Sequence, residues 1–217
     1  MMFAKRTEVN RFLAKERFYA HNAVSGAVKQ ALIDQVEKIT IANKLSPETM
    51  NIEPGKEFNE IIVLKILLKC DKINPKLLDA LDKSIRSGYV LFILEYNGQQ
   101  QASISHKCPS ANSKGDTVIN SRWFTEWQPE IDLQADGMGI DTIYAGLINQ
   151  ISGGRVATDC GISLQAAIDK DVQVRKLEKQ ILDLQEKIRK EPQLKRQIEF
   201  SNQVRQLEKE VKELKND

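Results

Sequence analysis

Histidine is nearly absent from this chain, with only His21 and His106 among 217 residues. Neither lies at metal-ligand spacing, so histidine-built metal centres and histidine general acid-base chemistry are poorly served. Cysteine is also sparse. Cys70, Cys108 and Cys160 form no C-x-x-C pair, and an odd count argues against a complete disulfide framework. A reducing cytoplasm is the expected home. No apolar run reaches the ~18 residues of a membrane span; the longest candidate, Ile61 to Leu68, is broken by Lys65. The opening Met1 to Glu8 lacks the apolar stretch of a secretory signal. No Gly-x-x-x-x-Gly-Lys-Ser/Thr phosphate loop occurs. No cofactor or metal site is therefore expected.

Charge of one sign is lacking too, since the net charge is only +2. Residues 1–50 hold eight basic side chains against five acidic ones, and residues 163–217 hold thirteen against eleven. The slight basic bias thus sits at the two ends, too weak to dictate a nucleic-acid or membrane partner.

What is present is hydrophobic pattern. Phe12, Leu13, Val24, Ala27, Val28, Ala31, Leu32, Val36 and Ile39 recur near helical spacing, which predicts one or two amphipathic helices over the first forty residues, with room for a break at His21 to Gly26. Ser46-Pro47-Glu48 carries a helix-start signature. Glu60 to Cys70 is dense in Ile and Val and reads as a central strand. Asn74-Pro75 opens a helix carrying Leu77, Leu78, Leu81 and Ile85, and Tyr89 to Glu95 is a second buried strand. Strand, helix, strand in that order predicts a parallel pair with a right-handed crossover. Asn97-Gly98 is a hairpin-turn signal, returning the chain along Gln99 to Lys107. A fourth strand follows within Thr117 to Trp127. Ile140, Ile143, Tyr144, Leu147, Ile148 and Ile151 make an apolar helical stripe closed by Ser152-Gly153-Gly154. The expectation is an α+β (or α/β) domain over 1–162, a small mixed sheet of about four strands flanked by helices.

From 163 to 217 the pattern changes to coiled-coil spacing. Val174, Leu177, Ile181, Leu184 and Ile188 step by three and four, as do Phe200, Val204, Leu207, Val211 and Leu214. Pro192 interrupts them, and the heptad phase is broken: two heptads beyond Ile188 falls on Asn202 rather than Val204. The tail is then either an antiparallel helical hairpin of about 28 Å or a kinked coiled-coil rod of about 75 Å at 1.5 Å per residue. The hairpin is favoured because proline starts a helix well after a short turn. Such seams bury against other helices, so Leu177, Ile181, Leu184, Ile188, Val204, Leu207, Val211 and Leu214 are the candidate residues for partner binding or self-association.

Constellations that would signal catalysis are weak. His106-Lys107-Cys108 reads as a surface or edge stretch rather than a ligand pair. A restriction-nuclease site needs Glu-x-Lys or Asp-x-Lys at a strand end, but Lys107 is preceded two residues earlier by Ser105, leaving Glu95 as a lone acid. Gly137-Met138-Gly139 precedes a helix, yet Asp132, Asp136 and Asp141 around it would repel a phosphate. No catalytic residue is assigned. For nucleic acid, Lys5, Arg6, Arg11, Lys15 and Arg17 could grip phosphates from a basic N-terminal helix, and Trp123 and Trp127, on one strand face beside Arg122, could stack on bases. A solvated face and sheet-core packing are the favoured readings of those two groups.

Across Phe18-Tyr19, Val36 to Thr40, Leu45-Ser46-Pro47, Asn51-Ile52, Glu60 to Lys69, Leu77-Leu78, Tyr89 to Glu95, Lys107, Ile143-Tyr144 and Leu177-Glu178, the chain resembles a bacterial family classed as a domain of unknown function. Its members are encoded near helicases and DNA methyltransferases in restriction-modification-like, anti-phage islands. The resemblance covers nearly the whole chain as a diffuse apolar pattern and brings no catalytic residues to any position here. It implies a setting. The expected function is a non-catalytic adaptor or assembly subunit of a DNA-defence system that binds a helicase, nuclease or methyltransferase and forms homo- or hetero-oligomers through its tail. The alternatives are a nucleic-acid-binding target-recognition module and, behind it, a metal-dependent nuclease.

Overall fold

A computed structural model describes residues 3–19, 25–110, 116–158 and 162–216. His21, Cys160 and the expected break at 21–24 lie outside the described residues. The chain divides into two compact units, Met1–Ala157 and Thr158–Asp217.

The first unit is built on one six-stranded mixed sheet whose spatial order follows the chain: β1 (Glu8–Leu13), β2 (Val36–Leu45), β3 (Ile61–Leu68), β4 (Tyr89–Tyr96), β5 (Gln99–Pro109) and β6 (Thr117–Phe124). Four strands were expected and six are found. Neighbours pair antiparallel except β3 and β4, which are parallel. The crossover between those two is α4 (Pro75–Ser84), started by Asn74, whose side chain accepts from Lys76 N, with Pro75 at the first turn. This is the strand, helix, strand unit that the apolar runs predict.

The two added strands lie where helices were expected. Besides a 3-10 turn at Lys5–Thr7, the N-terminal region contains β1, the short α1 (Glu16–Tyr19), α2 (Gly26–Gln35) and β2. Val36 and Ile39 are both buried in one cluster although three residues apart, because the pairing with β3 shifts register between Val36 and Lys38. A bulge turns the strand spacing of two into three and so imitates a helix. β1 likewise shifts register between Glu8 and Arg11, with Asn10 at a φ of 49°.

One sheet face is covered by α2 and α4: Ala31, Leu32, Leu77, Leu78 and Leu81 pack on Ile39, Leu64, Ile66, Leu68, Val90, Phe92 and Leu94. Alternation directs Tyr89, Leu91 and Ile93 to the opposite face. There α5 (Ile140–Ile151) lies over β5 and β6, its buried stripe being Ile140, Ile143, Tyr144, Leu147, Ile148 and Ile151. The sheet is thus buried on both sides in its middle, as a parallel pair requires. A short α3 (Pro47–Met50) starts at Ser46 with a capping box through Thr49.

The second unit consists of α6 (Leu164–Lys190) and α7 (Leu194–Asn216). Lys215 near the end of α7 pairs with Glu178 at the middle of α6 at 2.8 Å, so α7 runs back along α6. The 27 residues of α6 make it about 40 Å long, more than the 28 Å expected because the helix begins before the apolar seam does.

Asn97 and Gly98 both take positive φ, 47° and 72°, in the two-residue turn between β4 and β5. A Cβ on Gly98 would meet nothing within 4 Å, so only the backbone resists substitution there. Gly98→Ala should cost about 1 kcal/mol, read as a lower urea midpoint with unchanged slope.

Candidate functional site

The densest chemistry in the first unit lies where α4 meets β5 and β6. Asp82 is on the inward face of α4 and is 0% exposed. Its Oδ2 accepts from Ser105 Oγ and, at 3.0 Å, from Arg122 Nη2. Arg122 also donates through Nε to Asp79 Oδ1 at 2.8 Å, and its guanidinium lies 5.1 Å from the Phe92 ring centre. Ser105 and Arg122 are register partners on β5 and β6, which is why both reach the same carboxylate.

Lys107 is 2% exposed, and its ammonium, 3.4 Å from Asp82 Oδ1, donates to three backbone carbonyls, those of Asp82 (2.9 Å), Ile85 and Gly88 (2.8 Å). These carbonyls belong to the last turn of α4 and the loop after it. The last carbonyls of a helix run short of helical donors, and a lysine brought from β5 supplies three hydrogen bonds on their inner side. Burial lowers the Lys107 pKa, with the Asp82 carboxylate opposing part of that shift. Lys107 shares the α4 side with Ser105 by alternation along β5, and a register shift against β6, with the extra residue in β6, falls between His106 and Lys107. Tyr144 from α5 holds both flanks of that shift, its hydroxyl donating to Ser105 O and accepting from Lys107 N at 3.0 Å. Tyr89 stacks on Tyr144 with ring centres 3.6 Å apart.

Serine, aspartate, lysine and arginine together suggest nucleophilic chemistry, but this set is sealed. Ser105 already donates to Asp82, and the three ammonium protons of Lys107 are spent on carbonyls. The arrangement locks α4 to the sheet. Sequence reasoning did not single out Asp82, Ser105, Tyr144 or Tyr89 as a unit. One signal existed: Asp82 sits four residues after Leu78 and next to Leu81, inside the apolar stripe of α4.

The sequence candidates scatter. His106 is 7% exposed within β5, correcting the surface expectation; Cys108 is half-buried. Glu95 pairs with Lys65 at 2.7 Å and accepts from Gln100. Among the described residues no three of His, Cys, Asp or Glu gather closely enough to hold a metal ion. The α5 start is occupied by the chain itself: Ile140 N donates to Glu53 O, Gly139 N to Thr142 Oγ1, and Lys56 N to Asp141 Oδ2. Trp123 and Trp127 do not share a face. Trp123 pairs with Ile104 and is 1% exposed, while Trp127 lies beyond β6 and packs on the α4-side core. Arg122 is held in the Asp82 cluster. The expected basic helix is absent: Lys5 and Arg6 are on a 3-10 turn, Arg11 on β1, Lys15 in a turn and Arg17 on α1. Arg6 donates to Met50 O and Lys15 to Val36 O, whereas Lys5, Arg11 and Arg17 are exposed.

The tail candidates, in contrast, come together. Leu177, Ile181, Leu184 and Ile188 of α6 and Leu207, Val211 and Leu214 of α7 are half-buried, and Val204 is buried. Leu184 and Leu207 line one groove of about 460 Å³, together with Gln180, Asp183, Lys187, Gln203, Gln206 and Glu210.

Two outcomes follow from the sealed cluster. Asp82→Asn keeps the shape but leaves Lys107 and Arg122 without their buried counter-charge, and should lower unfolding free energy by about 3–5 kcal/mol in urea titration. Burial also raises the phenol pKa values of Tyr89 and Tyr144 above the ordinary 10.0. Their raised folded values give stability that is intact below pH 10.0 and falls as pH rises towards the folded values, by about 1.4 kcal/mol per pH unit for each phenol. Ultraviolet titration should show two late phenols ionising with unfolding, and Tyr144→Phe should remove one.

A family model described as a domain of unknown function, DUF4391, matches residues 3–211. Neither a curated protein nor a solved structure matches the chain. No helix among the described residues is long and apolar enough to cross a membrane. The match runs through the sheet and through most of α7, so sheet and hairpin together make the family's domain, and the chain belongs to the DUF4391 family of unknown function.

Proposed function

We propose that this protein is a non-catalytic adaptor, with the mixed-sheet unit as a rigid docking body and the α6/α7 hairpin as its attachment device. The observation that carries the reading is the contrast between the two chemistries. The reactive-looking residues Asp82, Ser105 and Lys107 are closed off from solvent, while the seam leucines Leu184 and Leu207 stand half-covered at the floor of an open groove. Two helices alone bury only a narrow stripe, and coiled-coil packing is completed by further helices. The setting comes from the family resemblance: the partner would be a helicase, nuclease or DNA methyltransferase of the same anti-phage system.

Affinity purification of the full chain from its native host, followed by mass spectrometry, tests the reading. A protein of one of those three classes should be recovered in stoichiometric amount. Leu184→Asp with Leu207→Asp should abolish that recovery or the oligomer mass in light scattering, with the sheet unit still folded by the late tyrosine titration. If mass and recovery both stay unchanged, the hairpin is not the attachment device.

A further inference from the structure

We infer that the groove between α6 and α7 takes a second copy of the same hairpin, packed face to face as a four-helix bundle with the two turns at opposite ends. The inference rests on reading the hairpin as an attachment device and names its partner. Along the groove, Gln203 stands nearest the turn, then Lys187 level with Gln206, then Asp183 level with Glu210, and Gln180 at the far end. The floor is Leu184 and Leu207, both half-buried, so apolar surface remains to be covered.

The charges decide what covers it. Part of the hairpin's charge is paired internally, Arg175 with Asp171, Lys190 with Glu186, Arg196 with Glu191, Lys209 with Glu213 and Lys215 with Glu178. Lys187, Asp183 and Glu210 make no ion pair with any described residue. The groove is therefore polarised, positive near the turn and negative at the far end. Two identical grooves can face each other about a two-fold axis in only two ways. An axis along the helices gathers two Lys187 side chains at one end and two Glu210 at the other. An axis across the helices brings the Lys187 end of each copy over the Glu210 end of the other, so the surface is complementary to itself. Asp183, level with Glu210, adds to the negative end that meets Lys187 of the second copy.

Light scattering of the full chain over a concentration series should show a particle of twice 24.6 kDa. In analytical ultracentrifugation, Lys187→Glu and Glu210→Lys should each weaken the dimer roughly tenfold, because each reversal changes two symmetric attractions into repulsions. The double reversal should restore it, and Asp183→Asn should weaken it less than either single reversal does. All three positions are exposed on the helix surface, so circular dichroism should stay helical throughout. A monomer at every concentration, or a dimer indifferent to the single reversals, would overturn the inference. The two readings fail separately. A monomer that still captures a host partner through its hairpin sinks the self-docking and leaves the adaptor, whereas a charge-sensitive dimer that recovers no partner keeps the self-docking and sinks the adaptor.

Discussion

The end of α4 is open to solvent at Lys83, Arg86 and Ser87, but the carbonyls of Asp82, Ile85 and Gly88 turn inwards, where a buried partner must meet them. Lys107 resolves the problem from a different element, placing one ammonium among the carbonyls of Asp82, Ile85 and Gly88. A buried cation needs an opposite charge, and the same helix provides it in Asp82. Arg122 and Asp79 then complete a set of two cations and two acids that joins α4, β5 and β6. The parallel pair β3 and β4 depends on this, since α4 is the only covalent route between them.

The parts of this fold visible in the sequence are those where one local rule dominates. β3 and β4 are legible because Ile, Val, Leu and Phe run on with Lys65 as the one break, and a strand buried on both faces needs such a run. The turn at Asn97-Gly98 is legible because both residues tolerate positive φ. The N-terminal strands are not, because the bulge at Val36 to Lys38 spaces two core residues as a helix would. The sealed cluster was half visible. An aspartate within an apolar stripe and a lysine within a strand both ask for a partner, but their meeting depends on the register of β5 against β6, which no local pattern encodes. Nothing local marks Tyr144 as the clasp of the β5 register shift.

The second unit shows the opposite economy. Its seam is legible residue by residue, because heptad spacing and helix packing share one geometry. The break in phase at Pro192 corresponds to the passage from α6 to α7, with Gln197 Nε2 donating back to Glu191 O at 2.6 Å. Sequence alone left the hairpin beside a rod, since both satisfy the same spacing. The Lys215 to Glu178 pair distinguishes them, and it joins residues 37 positions apart.

The sheet's spatial order is its order along the chain, and that has a kinetic meaning. Every strand pairs with its sequence neighbour, so each addition closes a loop of limited length, the longest being the one between β1 and β2. Such low contact order favours rapid assembly of the strands. The charges at the end of α4 run against that ease, since Asp82, Lys107 and Arg122 gain from leaving water only once β5 and β6 are both in register. The polar interior therefore contributes to stability only when the crossover helix and the last two strands are all in place.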